Sequence, residues 1–244
     1  MIKIVLDAGH GPDTPGKRTP KFEDGTFMHE HEFNNSVVKK LKDKLNSVGK
    51  FNVTVVSSEY RDVPLAERVS LEREVKADLF LSVHANALTG AWGTQNGLES
   101  YSNVGSVIGA EYCKTIQNNL VAATGLRNRG AKTSSFYVLK NTYGPAVLVE
   151  CGFMDNKEEA KLLMSYEYRE LIAESLFKSI CSIFDVEVDK PDVVEHWAEG
   201  PYKFLTEEVG ITINEKRFDD PITRGEDFAL LERIIKKLRG ELWN

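Results

Sequence analysis

The feature that most restricts the fold is a string of short apolar runs separated by segments of helical periodicity. Residues 2–6 (IKIVL), 51–56 (FNVTVV), 79–83 (LFLSV), 97–101 (GLESY), 136–139 (FYVL) and 146–150 (AVLVE) read as strands. Several are β-branched and apolar throughout, as strands buried on both faces of a parallel sheet are. Between them, residues 30–48 carry Phe33, Val37, Leu41 and Leu45 at spacings of four. Residues 64–76 open on Pro64 and run through Leu65, Val69 and Leu71, and residues 104–122 and 157–184 are also helix-like. This alternation predicts an α/β domain, with a mostly parallel twisted sheet flanked by helices.

The pattern stops at "DVEVDKPDVVE", residues 185–195, where acidic residues and Pro191 replace the periodic apolar face. The expected organisation is a main domain over 1–184, a linker over 185–194 and a small helical domain over 195–244. Helical patterns near 195–208 and 223–239 support the last of these. A unit that small buries little core alone, so it is expected to pack on a neighbour or to dimerise.

Composition narrows the classes of function. With 41% hydrophobic and 28% charged residues, the 244-residue chain has the make-up of a soluble globular protein. A formal net charge of −6 and the lack of a long Lys/Arg run argue against a nucleic-acid partner. The apolar run Ile2–Leu6 is too short for a secretory signal, and no segment reaches the length of a membrane span. Cys113, Cys151 and Cys181 are odd in number and far apart, so no disulfide framework or CxxC zinc site follows. Synthesis in a reducing cytoplasm is the expectation.

Open α/β sheets place their sites at the carboxyl edge of the strands. After the first strand comes Asp7-Ala8-Gly9-His10-Gly11, after "LFLSV" comes His84, and "AVLVE" ends on Glu150. Two histidines suit zinc, whose catalytic sites usually have three protein ligands and one open position. "MHEHEFN", residues 28–34, offers the third. Residues seven apart on a helix differ by only about 20°. Glu30 stands seven before Val37 and three before Phe33, and so continues the buried stripe toward the sheet edge. His29, His31 and Glu32 read as solvent-facing residues of a helix start, with His31 replacing Glu30 if the helix begins later. The expected metal ligands are thus His10, Glu30 and His84, binding Zn²⁺.

The ordered motifs "LDAGHG", "HEHEFN", "LFLSVHAN" and "PAVLVECGFMDN" also resemble those of zinc-dependent N-acetylmuramoyl-L-alanine amidases, the parallel-sheet family of autolysins and phage endolysins. The resemblance covers residues 1 to about 184. It implies His10, Glu30 and His84 as ligands and Glu150 as the catalytic carboxylate. It further implies peptidoglycan as substrate, cut at the amide between N-acetylmuramic acid and L-alanine. The chain departs from the common pattern at Pro12 and "DTPGKRTPKFEDG". A structural role for Glu150, capping a helix or paired with Arg68, is the alternative. Cys151, next along the strand, is expected to point away from Glu150.

Two further segments need placing. "GPDTPGKR", residues 11–18, nearly matches the phosphate-binding G-x-x-x-x-G-K-[ST] loop. Arg18 stands where a hydroxyl is needed, however, and Pro12 and Pro15 lack amide donors. Lys17 and Arg18 then read as part of a substrate-lining loop or as solvated. Residues 196–234 resemble one S-layer-homology-type repeat, on His196-Trp197-Ala198, Gly210-Ile211 and Ile222-Thr223-Arg224-Gly225-Glu226. That resemblance implies a secondary cell-wall polymer as partner, with Arg217 and Arg224 as candidates for an anionic ligand. Trp197, Phe204 and Phe228 read as core. The expected protein is a wall-lytic amidase, foremost a phage endolysin made without an export signal and acting on the bacterial wall. Mother-cell and secreted autolysins are the alternative settings. A zinc peptidase of the cross-bridge and a non-catalytic wall-binding protein are the alternative classes.

Overall fold

The computed structural model describes residues 1–187 and 235–236. The chain divides into two compact units, Met1–Val188 and Asp189–Asn244. Every expectation for residues 195–244 lies outside the described residues, apart from Ile235 and Lys236, which are helical.

The first unit runs β1 (Ile2–Ala8), α1 (Glu30–Ser47), β2 (Phe51–Val55), α2 (Leu65–Val75), β3 (Leu79–Asn86), β4 (Leu98–Asn103), α3 (Val107–Thr124), β5 (Asn128–Ser134), α4 (Tyr137–Asn141), β6 (Ala146–Phe153), α5 (Lys157–Met164) and α6 (Tyr166–Ile183). The strands form one six-stranded sheet in the order β2-β1-β3-β6-β4-β5. All pairings are parallel except β4 with β6. The expected α/β class, a mostly parallel sheet flanked by helices, is what this unit shows.

Alternation along each strand splits the core in two. Ile4 and Leu6 of β1, Leu81 and Val83 of β3, and Val147 and Val149 of β6 pack with α1, α3 and α6. The amphipathic stripe Phe33, Val37, Leu41 and Leu45 is fully buried there. Val5, Phe80 and Leu148 face the other way, onto Val69 of α2 and Val138 and Leu139 of α4. Because α4 is only five residues long, that second face is thinly covered toward the carboxyl ends of the strands.

Three expectations are corrected. Residues 136–139 are not a strand: Tyr137–Asn141 is helical, and the strand beside β4 is Asn128–Ser134. A four-residue apolar run cannot by itself distinguish strand from helix, and here Val138 and Leu139 are simply the buried side of one short helical turn. β5 escaped notice because it is a sheet edge of polar sequence (NRGAKTS) with no residue fully buried, the usual make-up of a protected edge. The helix expected over 157–184 is two. Ser165 adopts an extended conformation between them and its side chain accepts a hydrogen bond from the Tyr168 amide, capping α6. Finally, His84 and Glu150 do not follow their strands but lie inside them, because β3 and β6 run on to Asn86 and Phe153.

Candidate active site

Register decides which side chains meet. His84 of β3 is paired with Glu150 of β6, and Glu150 in turn stands opposite Glu99 of β4. Cross-strand partners share a face, so His84, Glu150 and Glu99 form a row on the α2/α4 side, just beyond the cover of α4. Cys151 points the opposite way and is fully buried in the other core, as expected of its neighbour position.

His10 enters from the turn after β1. Its backbone is left-handed, φ 60°, a conformation costing roughly 1–2 kcal/mol for a residue other than glycine. The glycines on either side are needed for a different reason. A Cβ on Gly9 would lie 2.1 Å from Cε1 of His84, and one on Gly11 would lie 2.3 Å from Cα of Asp62. The turn is fastened by Arg68, which is buried and donates to five acceptors. Nε bonds the Val63 carbonyl at 2.8 Å, and Nη1 bonds Asp7 Oδ1 at 2.6 Å and the Ala8 carbonyl at 2.7 Å. Nη2 bonds the His10 carbonyl at 2.8 Å and Asp62 Oδ1 at 3.1 Å. The remaining Asp7 oxygen accepts from Ser82 at 2.7 Å. Arg68 is thus committed to Asp7 and Asp62, and the alternative pairing with Glu150 does not occur.

Glu30 is the first residue of α1 and is 1% exposed. Its Oε1 lies 2.9 Å from His84 Nδ1 and accepts from the Ala85 amide at 3.2 Å and from Asn34 Nδ2 at 3.3 Å. Its Oε2 lies 3.3 Å from His10 Nε2. One ligand atom from each of His10, Glu30 and His84 fits within 4.8 Å of the others. The two rings meet edge to face, with centroids 5.0 Å apart. Two imidazoles and one carboxylate at this spacing are a donor set that suits zinc, with bonds of about 2.0–2.2 Å and room left for a further ligand.

His31 was expected to face solvent, and this is corrected: it is 5% exposed. The loop over residues 11–29 folds back on the helix start, through the Arg18–His29 bridge and hydrogen bonds from the Thr19 amide to the Met28 carbonyl and from the Glu30 amide to the Lys17 carbonyl. A helix start roofed in this way buries more than one face. His31 lies near Arg68 and the backbone of Gly9 and His10, with neither ring nitrogen making a full hydrogen bond among the described residues, and it stays outside the three-residue cluster. Since no helix begins until Glu30, "GPDTPGKR" also lacks the helix N-terminus a phosphate loop requires. Arg18 stacks on Phe27, 4.9 Å from its centroid, whereas the charge of Lys17 bears on His10, Glu30 and Glu150.

Burial and charge move the titrations in opposite directions within a few ångströms. Burial pushes His10 down to about 4, with the nearby His84 and Lys17 adding to the effect against Glu30. Burial also works to lower His84, but the hydrogen bond and charge of Glu30 outweigh it and its pKa is raised. Glu30 is lowered, the attraction of His84 and His10 exceeding its desolvation. Glu150 is pushed up to about 8, first by burial and then by the charges of Glu30 and Glu99. Its Oε2 is buried and has no hydrogen-bond partner among the described residues. An unsatisfied buried carboxylate oxygen is costly, and this one stands beside the His/Glu/His cluster. A groove of about 390 Å³ reaches His10 and His84 between Pro64 and Leu65 of α2 and Val138 of α4.

Sequence reasoning missed Glu99 and the pair Arg129 and Lys132, and it considered Arg68 only as a partner of Glu150, not as the anchor of the His10 turn. Glu99 was discoverable, because a carboxylate inside the strand run "GLESY" carries a desolvation cost that calls for a partner or a role. Arg129 and Lys132 were hidden with β5 itself.

The fold is a mostly parallel α/β sheet with a His/Glu/His cluster at its carboxyl edge, and the chain belongs to the N-acetylmuramoyl-L-alanine amidase family, whose pattern matches residues 4–182. It is 33% identical over 183 residues to the N-acetylmuramoyl-L-alanine amidase LytC of Bacillus subtilis, covering 74% of this chain and 35% of that protein. It is 34% identical over 193 residues to the endolysin of Bacillus phage SPP1, covering 77% of this chain and 68% of the endolysin. Among solved structures, the catalytic domain of CwlV, an N-acetylmuramoyl-L-alanine amidase from Bacillus (Paenibacillus) polymyxa var. colistinus, superposes with a TM-score of 0.70 at 28% identity, over 77% of this chain and 100% of that domain. The chain therefore spans about a third of the length of LytC and about two thirds of the phage endolysin.

Proposed function

We propose that this chain hydrolyses the amide between the lactyl group of N-acetylmuramic acid and L-alanine in peptidoglycan, with His10, Glu30 and His84 holding Zn²⁺ and Glu150 handling the proton. The observation that carries this reading is the meeting of two imidazoles and a carboxylate within 4.8 Å, with the unpartnered Glu150 oxygen one strand away. An ion in that cluster would supply Lewis acidity toward the scissile carbonyl and toward water. The residues of the chain do the rest. Glu30 lies against both rings, with one oxygen 2.9 Å from His84 Nδ1 and the other 3.3 Å from His10 Nε2. Arg68 holds the His10 carbonyl and so fixes the backbone of the turn that carries the ring. Glu150, whose Oε2 has no hydrogen-bond partner among the described residues, is placed to take a proton from water and to deliver one to the departing alanine amine. No covalent intermediate on the enzyme is needed.

Phage lysis is the setting we favour, supported by the identity to the SPP1 endolysin over two thirds of that protein; an autolysin or mother-cell enzyme is the other. Residues 195–244 are proposed as a wall-targeting unit, to be tested by comparing wall retention of the full chain with that of residues 1–187. The activity is tested by incubating the protein with purified peptidoglycan, with and without chelator, and assigning the new ends. Free muramoyl carboxyl groups with N-terminal L-alanine, lost on chelation, support the proposal. Other new amino termini would mark a cross-bridge peptidase, and no new ends would mark a binding protein; either result refutes it.

A further inference from the structure

On the far side of Glu150 from the histidines lies a second cluster that the hydrolysis above leaves unused. Glu99 of β4 is 4% exposed and collects four donors. Its Oε1 accepts from Asn86 Nδ2 at 2.6 Å and from the Tyr101 hydroxyl at 2.9 Å. Its Oε2 accepts from Arg129 Nε at 2.9 Å and from Lys132 Nζ. Both cations come from the edge strand β5, whose Lys132 is in register with Tyr101 on the open face.

Glu99 faces both cations, and the charge of Arg129 also bears on Glu159. Neither cation is spent on Glu99 alone, since the Arg129 side chain is 28% and the Lys132 side chain 38% exposed. Arg129 presents only Nε to Glu99; Nη1 makes a long 3.4 Å contact to the Asn96 carbonyl, and Nη2 has no partner among the described residues. The guanidinium carbon also lies over the Phe153 ring, 4.8 Å from its centroid. A fork with a free edge, fixed by a buried acid and an aromatic face, is built to receive an anion.

Position selects the anion. Strands are spaced by about 4.8 Å, so β5 lies roughly 10 Å from the Glu150 strand before side-chain reach is counted. In the peptide stem, the residue after L-alanine is a glutamate linked through its side-chain carboxyl, and its α-carboxyl is free or amidated. Two residue lengths of about 3.5 Å place that group roughly 7 Å from the scissile nitrogen. From this we infer that Arg129 and Lys132, organised by Glu99, form a subsite for the free α-carboxylate of the second stem residue and make the enzyme prefer acidic over amidated stems. The inference rests on the amidase reading above and specifies its substrate class.

The test uses matched muropeptides that differ only in carrying D-isoglutamate or D-isoglutamine after L-alanine. The full-length protein is expected to cleave the carboxylate form with a kcat/KM about tenfold higher or more, the difference lying in KM, which is the scale of one charge-assisted contact. Lys132→Gln and Arg129→Gln should each pull that ratio toward one, and Lys132→Arg should restore it relative to Lys132→Gln. Melting temperatures taken on the same preparations identify any variant that fails to fold, leaving the other to decide. Equal cleavage of both substrates by the unaltered protein, or an unchanged ratio in folded variants, overturns the subsite while leaving the amidase reading intact. Cleavage of neither muropeptide, nor of whole peptidoglycan, overturns both.

Discussion

Arg68→Leu should be the most destabilising single substitution at the edge of the site, and its size follows from the contacts. The leucine keeps the apolar stem but removes five hydrogen bonds. The bond to Asp62 contributes little, since that carboxylate is 46% exposed. The pair with Asp7 decides the matter, because both side chains are almost wholly buried, at 1% and 2%. Removing one member of a buried ion pair costs about 3–5 kcal/mol, since the other charge is left in a poor solvent. Ser82 remains on Asp7, which favours the lower half of that range. For a domain of this size each kcal/mol moves the midpoint by about 2–4 °C, so a drop of roughly 10 °C is expected. Urea denaturation of both proteins, metal-free, gives the free energy directly. The His10 turn loses its carbonyl anchor at the same time, so metal affinity should fall together with stability. A loss under about 1 kcal/mol would refute the reasoning, because the Asp7 charge would then have to be solvated in a way its burial forbids.

Gly9→Ala places a methyl carbon where the His84 ring now lies, and should weaken metal binding by more than about tenfold, read by competition with a chromogenic chelator. Glu150→Gln should retain metal and lose hydrolysis; metal content and released alanine termini check this. In the metal-free state the same variant should become more stable than the parent as pH rises. A carboxyl lifted to about 8 in the folded chain holds its proton there while the unfolded chain has lost it, so the parent alone loses stability between its unfolded pKa, about 4.3, and pH 8. The gap should approach about 3.5 kcal/mol at pH 7 and close near pH 4, as denaturation midpoints across that range would show. Asp155→Ala removes the oxygen that accepts the Leu88, Thr89 and Gly90 amides, and limited proteolysis should then cut first within residues 87–96.

Much of this fold was legible because its signals are local. The stripe Phe33, Val37, Leu41 and Leu45 announces α1, and the short, mainly apolar runs at 2–6, 79–83 and 146–150 announce three central strands. The His/Glu/His cluster was legible for a related reason: helical phase alone puts Glu30 in line with that stripe, and His10 and His84 each come shortly after an apolar run. What stayed hidden depends on the sheet edge and on loops. β5 carries no apolar period because it faces solvent, so Arg129 and Lys132 had no frame in which to be placed. The burial of His31 depends on residues 11–29 folding over the helix start, a tertiary event that no helical wheel contains. The role of Arg68 required knowing that α2 packs its first turn against the His10 turn, which only the three-dimensional arrangement supplies.

His10, Glu30 and His84 are proposed to hold one zinc ion between them. Elemental analysis of the purified protein and of a folded Glu30→Ala variant tests it most directly. About one zinc per chain in the parent, falling to a small fraction in the variant while the melting transition stays cooperative, is the predicted result. A parent protein that cleaves peptidoglycan without bound metal, or a variant that keeps its full complement, would contradict the account.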